Sequence, residues 1–137
     1  NFFMPLAYMK VASQFDPNYS NKSKIGIASM YLVDYERYSK YEDDPFFSTT
    51  YRGKNTATNP SESAKILVAK MDYLMELFNG RVDWVFFALF NNEYEIIDKY
   101  WNEGEGEIPD EFYKSGPLAD TLNLYHAFEN WKIPTQK

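Results

Sequence analysis

There is no cysteine in these 137 residues and only one histidine, His126. Without thiols the chain cannot build a disulfide framework or a thiolate metal site. With one imidazole, His-centred chemistry would have to borrow its partners from other side chains. The nearest acid to His126 is Glu129, one helical turn on. There is no Walker loop, no G-x-G-x-x-G, no H-E-x-x-H and no G-x-S-x-G. No apolar run approaches the ~20 residues that a membrane-spanning helix needs. The longest is Trp84-Val85-Phe86-Phe87-Ala88-Leu89-Phe90. The opening residues, Asn1-Phe2-Phe3-Met4-Pro5, lack the basic flank of a signal peptide. The chain is read as a processed or trimmed product, or as starting naturally at Met4.

What the chain has instead is aromatic surface: 12 Tyr, 11 Phe and 3 Trp. This composition favours packing and contact over chemistry. Its size and 45% hydrophobic content suit one soluble domain spanning residues 1–137. The net charge of −6 is unevenly spread. Residues 1–82 hold ten Lys/Arg and nine Asp/Glu, whereas residues 83–137 hold four Lys and eleven Asp/Glu. Most of that acid lies between Glu93 and Glu111, opposed only by Lys99. Such a surface repels phosphate backbones and attracts basic partners. The AT-rich codon bias of Asn, Tyr, Lys, Phe and Ile points to a low-GC bacterium or its phage.

Hydrophobic spacing predicts an all-α fold of four to five helices, with an α+β arrangement as the alternative. Pro5 to Gln14 reads as a short helix with Leu6 and Met9 on one face. Ile27, Tyr31, Tyr35 and Tyr38 give a helical period over 24–41, although 25–33 taken alone also reads as a strand. Residues 42–59 form a long connector. Asn59-Pro60-Ser61-Glu62 is a strong helix start, combining an Asn cap, Pro at the first position and Glu at the third. Leu67, Met71, Leu74 and Phe78 follow on one face, and Asn79-Gly80 is a left-handed stop. Asp83 is expected to cap the next helix, which runs to about Asn102. Residues 60–102 thus form a central helical hairpin. The segment 82–90 is apolar all round and is assigned to a buried helix, with a strand left open. A single turn at 110–114 and a last helix from Leu118 to Trp131 complete the expectation.

Two fragments carry a family resemblance. Phe47-Ser48-Thr49-Thr50 and Glu93-Tyr94-Glu95-Ile96-Ile97 resemble the Ser-Thr-Ser strand and Glu-x-Glu segment of ADP-ribosyltransferases. The resemblance implies hydroxyls supporting a nicotinamide pocket, a final Glu orienting the ribose, and a β-core. The family's upstream Arg on an early strand has no counterpart except Arg37, which falls in a helical pattern. Asp16-x-Asn18-x-Ser20 opens like a calcium loop, but its sixth and twelfth positions are Asn21 and Ile27. No metal or cofactor is expected.

The resulting expectation is a non-enzymatic protein-binding module: a small acidic inhibitor, immunity protein or phage accessory factor. It would cover the basic surface of a partner protein in the cytoplasm, and would engage neither nucleic acid nor membrane. Glu103, Glu105, Glu107, Asp110 and Glu111 are assigned to steering, and Tyr100, Trp101 and Tyr113 to the desolvated anchor. Phe2, Phe3, Phe46, Phe47 and Tyr51 are further contact candidates, because they fall in predicted loops or ends. Two alternatives stay open: a self-associating assembly subunit of a virion or larger complex, and a small carboxylate-dependent enzyme. A buried pair of acids sharing one cleft would favour the enzyme.

Overall fold

The computed structural model of the protein describes residues 2–131. The chain starts with α1 (Phe3–Ser13), then a two-stranded antiparallel hairpin of β1 (Ser20–Asn21) and β2 (Lys24–Ile25). Next come α2 (Leu32–Tyr38), a connector containing α3 (Lys54–Ala57), α4 (Pro60–Leu77) and α5 (Val82–Phe90). α6 (Glu93–Ile96) runs into a π-helical stretch, Ile97–Asn102. α7 (Glu111–Lys114) and α8 (Pro117–Asn130) close the described chain. The fold is all-α, and the hairpin is its only sheet among the described residues.

α5 sits at the centre, touched by α1, α4, α6 and α8. Trp84, Val85, Phe86, Phe87, Ala88 and Leu89 are all buried, so the all-round apolar run is a core helix. Leu67, Met71, Leu74 and Phe78 supply the facing stripe of α4. The start of α4 follows the sequence signal: Asn59 Oδ1 accepts from the Glu62 amide at 3.0 Å. Asn79 and Gly80 take positive φ, and the Gly80 amide donates to the Met75 carbonyl at 2.8 Å. On α8, Leu118 and Tyr125 face inward and Asp120, Asn123 and Asn130 outward. On α1, Met9 is buried but Leu6 faces solvent, in contrast to the expected shared face.

The helix expected over 24–41 begins only at Leu32. Residues 25–30 form a loop instead, with an isolated bridge between Ile25 and Met30. Gly26 (φ +82°) and Ser29 (φ +47°) are left-handed, which a continuous helix does not allow. Tertiary hydrogen bonds hold this loop. The Tyr8 hydroxyl donates to the Ser29 carbonyl and the Tyr35 hydroxyl to the Ile25 carbonyl, while Ser63 Oγ accepts from the Ala28 amide. Burial pushes the Tyr35 phenol up to about 12, so it stays a neutral donor.

The helix expected from 83 to 102 is also interrupted. Asn91 and Asn92 are extended, and Asn92 Oδ1 caps α6 by accepting from the Tyr94 and Glu95 amides. Asp83 lies inside α5, with Arg81 at the cap position; its carboxylate accepts from the Trp84 amide at 2.9 Å. The π geometry appears in the Glu103 amide donating to the Asp98 carbonyl, five residues back. The wider turn lets the adjacent Tyr100 and Trp101 both reach the core: Tyr100 meets Phe87 at 5.9 Å and Trp101 meets Phe78 and Trp84 at 5.1 Å.

Candidate functional site: an acidic face and a charged cleft

The eight residues singled out for partner contact divide into two sets. Glu103, Glu105, Glu107, Asp110 and Glu111 are all exposed. None of the five has an ion-pair partner among the described residues. Tyr113 is exposed and donates its hydroxyl to Asp83 Oδ2 at 2.7 Å. Tyr100 and Trp101 are half-buried, and their rings are engaged with Phe87, Phe78 and Trp84.

Beneath the carboxylates the backbone is firmly held. Trp84 Nε1 and Arg81 Nη1 both donate to the Gly106 carbonyl, at 2.9 and 3.2 Å. Ile108 is buried two residues on. Arg81 also grips Asp83 through two nitrogens, at 3.1 and 2.8 Å. Burial alone would raise the Asp83 carboxyl, but hydrogen bonds from Arg81 and Tyr113 outweigh it and hold the group below its ordinary 3.8. A lowered folded-state value stabilises above the unfolded value and is lost as pH falls through the folded one. The stability gap between wild type and Asp83→Asn is therefore expected to narrow as pH drops below about 4, read from urea midpoints.

A second feature was not legible as a site in the sequence. A cleft runs between the 24–31 loop, the start of α2 and the break between α5 and α6. One lobe encloses about 230 Å³ and is lined by Lys24, Asp34, Arg37, Lys70, Glu93 and Tyr94. The other encloses about 620 Å³ and is lined by Tyr19, Asn21, Lys22, Asn91, Asn92 and Asp120. Lys24, Ser29, Tyr31, Asn91 and Asn92 border both. Lys70 is buried on α4 and lies 3.0 Å from Asp34 of α2 and 3.7 Å from Glu93 of α6. Lys24 Nζ donates to the Leu89 carbonyl at 2.9 Å, and burial, then the charge of Lys70, lowers its ammonium below the usual lysine range. Arg37 donates to the Tyr94 hydroxyl at 3.0 Å at the rim. One signal for this cleft was in the sequence: Lys70 follows Leu67 by three residues and precedes Leu74 by four, so it falls on the apolar stripe of α4.

The remaining candidates are distributed over the surface and core. Phe2 and Phe46 are exposed, while Phe3, Phe47 and Tyr51 are half-buried. Phe2, Leu6, Phe46 and Phe47 flank an apolar groove between α1 and α4, where Lys65 Nζ lies 4.3 Å from the Phe46 ring. His126 is exposed, with Nδ1 3.2 Å from Glu129 Oε1. Asp16 Oδ1 accepts from the Asn18 amide in a local turn. No cluster of three or more acids or histidines among the described residues is placed to hold a metal. Residues 47–50 are irregular and 93–97 helical, so neither fragment resembling ADP-ribosyltransferases lies on a strand. No helix among the described residues is long and apolar enough to cross a membrane.

Compared with known proteins, the chain matches no family model, no curated protein and no solved structure.

Proposed function

We propose that the chain is a non-enzymatic protein-binding module that occludes a basic surface of a partner protein, as a small acidic inhibitor, immunity or accessory factor does. One observation carries this reading: five exposed carboxylates, with no ion-pair partner among the described residues, stand on a backbone already fixed from below by Trp84, Arg81 and Ile108. Fixed charges of one sign raise the encounter rate with an oppositely charged surface. A backbone ordered before binding loses little entropy on docking. Tyr113 supplies exposed ring surface beside the acids, whereas Tyr100 and Trp101 act by holding the segment in place.

The test is charge reversal of the five acids to Lys in the full chain. Capture of a basic protein from host extract at low salt is expected with the wild type, to weaken as salt rises, and to be lost in the variant. Equal capture by both proteins would contradict the reading.

A second reading also has a specific observation behind it. Asp34 and Glu93 share one cleft with Lys70, the arrangement expected of a small carboxylate-dependent enzyme. In that reading the cleft takes a polar small molecule, and Glu93, the more open carboxylate, moves the proton. Polar fragments that shift the resonances of Tyr31 and Tyr94 would support it. An unchanged spectrum would leave the acidic face as the working surface.

A further inference from the structure

We infer that the two-lobed cleft is a binding site for a nucleoside monophosphate, which sets its phosphate on Lys24 and its base against Tyr31. The inference rests on the cleft of the second reading above, but not on proton transfer by Glu93. Lys24 and Tyr31 border both lobes, so a ligand seated across the shared wall meets them together.

Lys24 reaches from β2 to the C-terminal end of α5, where its Nζ donates to the Leu89 carbonyl at 2.9 Å. An ammonium has three donors. The Leu89 carbonyl takes one, and no acceptor among the described residues meets the others. Nor does any carboxylate among the described residues lie within ion-pair distance. A half-buried charge in that state gains most from donating charge-assisted hydrogen bonds to an anion. Arg37 in the smaller lobe and Lys22 in the larger also lack a carboxylate partner among the described residues. The smaller lobe's acids, Asp34 and Glu93, are both held by Lys70. Against the three unpaired cations stands one unpaired acid, the exposed Asp120 of the larger lobe. The cleft therefore selects an anion, although the chain as a whole carries −6.

Two further observations define the rest of the ligand. Tyr31 is 43% exposed, and its ring centroid lies 5.5 Å from Lys24 Nζ. An open aromatic face beside the anion seat suits a stacked base. The side-chain amides of Asn91 and Asn92 are each oriented by backbone. Asn91 Nδ2 donates to the Phe87 carbonyl, and Asn92 Oδ1 accepts from the Tyr94 and Glu95 amides. Asn91 Oδ1 is left as an open acceptor and Asn92 Nδ2 as an open donor, on residues that border both lobes. A nucleobase edge carries both a donor and an acceptor, whereas a fully ionised inorganic anion has acceptors only. The larger lobe, about 620 Å³, falls in the size range of small-molecule sites.

The experiment is a nuclear magnetic resonance titration of the full chain with AMP, GMP, CMP and UMP, with the matching nucleosides, and with inorganic phosphate. At least one nucleotide is expected to shift the Tyr31, Asn91 and Asn92 resonances and to bind roughly tenfold or more tightly than its nucleoside. It is also expected to bind more tightly than phosphate alone. Lys24→Met is expected to reduce the nucleotide to the affinity of the nucleoside. Tyr31→Leu is expected to weaken it roughly fivefold or more through lost stacking, and gives a readout if Lys24→Met does not fold. No shift from any nucleotide, or equal binding of nucleotide and nucleoside, would overturn the inference. If uncharged polar fragments then still shift Tyr31 and Tyr94, the second reading stands without it; if they do not, both fail.

Discussion

Replacing Lys70 with Ala is expected to destabilise the protein by about 3–5 kcal/mol, because it leaves buried carboxylate charge without its counter-ion. Lys70 joins three helices through one ammonium: α4, which carries it, α2 through Asp34, and α6 through Glu93. Its side chain and that of Asp34 are only 6% and 8% exposed. Removing one partner of such a pair costs far more than the pair itself contributes, since desolvation of the orphan is no longer offset. A double variant separates the two effects. Lys70→Met combined with Asp34→Leu removes the closer pair and leaves only the more open Glu93 without its counter-ion, so it is expected to recover part of the loss, as apolar replacements of buried pairs commonly do. Urea midpoints measured at constant slope give the comparison. A Lys70→Ala cost within about 1 kcal/mol would show that the pair is solvated like a surface bridge.

Gly26→Ala is expected to cost roughly 2–5 kcal/mol, from left-handed backbone strain and a backbone clash acting together. Gly26 has φ +82°, and a Cβ built there would lie 2.0 Å from the Ala57 carbonyl oxygen. The Tyr35 hydroxyl would be 2.7 Å away on the other side. A flexible side chain can yield, but the Ala57 carbonyl belongs to the backbone of α3 and cannot move without the connector. Gly80 provides the control. It too has positive φ, yet nothing lies within 4 Å of its would-be Cβ. Gly80→Ala is therefore expected to show only the conformational cost, about 1 kcal/mol. If both substitutions cost the same, the close approach at Gly26 does not govern the fold of the 25–30 loop.

That loop shows where local pattern and tertiary structure part company. The spacing of Ile27, Tyr31, Tyr35 and Tyr38 is helical, and from Leu32 the chain is helical. Before Leu32, hydrogen bonds donated by Tyr8 and Tyr35 and one accepted by Ser63 hold a loop with left-handed residues that local propensity does not encode. Asn91-Asn92 shows the converse. The apolar period continues across it, but the Asn92 side chain serves better as a cap than as a helix interior. By contrast, the Asn59-Pro60 start and the Asn79-Gly80 stop were legible, because each depends on chemistry within a few residues.

The acidic face was legible for the same reason: its five carboxylates lie within nine consecutive positions, 103–111. The roles of Tyr100 and Trp101 were not, since composition alone cannot distinguish an aromatic that packs inward from one that waits for a partner. The cleft was hidden because Lys24, Asp34, Lys70 and Glu93 are far apart in sequence and meet only when α2, α4 and α6 pack. Lys70 on an otherwise apolar stripe was the one local sign of it. A charge in that position requires a buried counter-charge, and its presence could have been inferred, though not its address.

The most direct test of the proposed mode of action is a hydrogen-exchange footprint of the full chain bound to a basic protein recovered with it in the capture experiment proposed above. Protection gained across 103–113, with 24–37 and 88–94 unchanged, is the result expected of a module that works through its acidic face. Protection gained across 24–37 and 88–94, with 103–113 exchanging as in the free protein, would contradict it and place the working surface in the cleft.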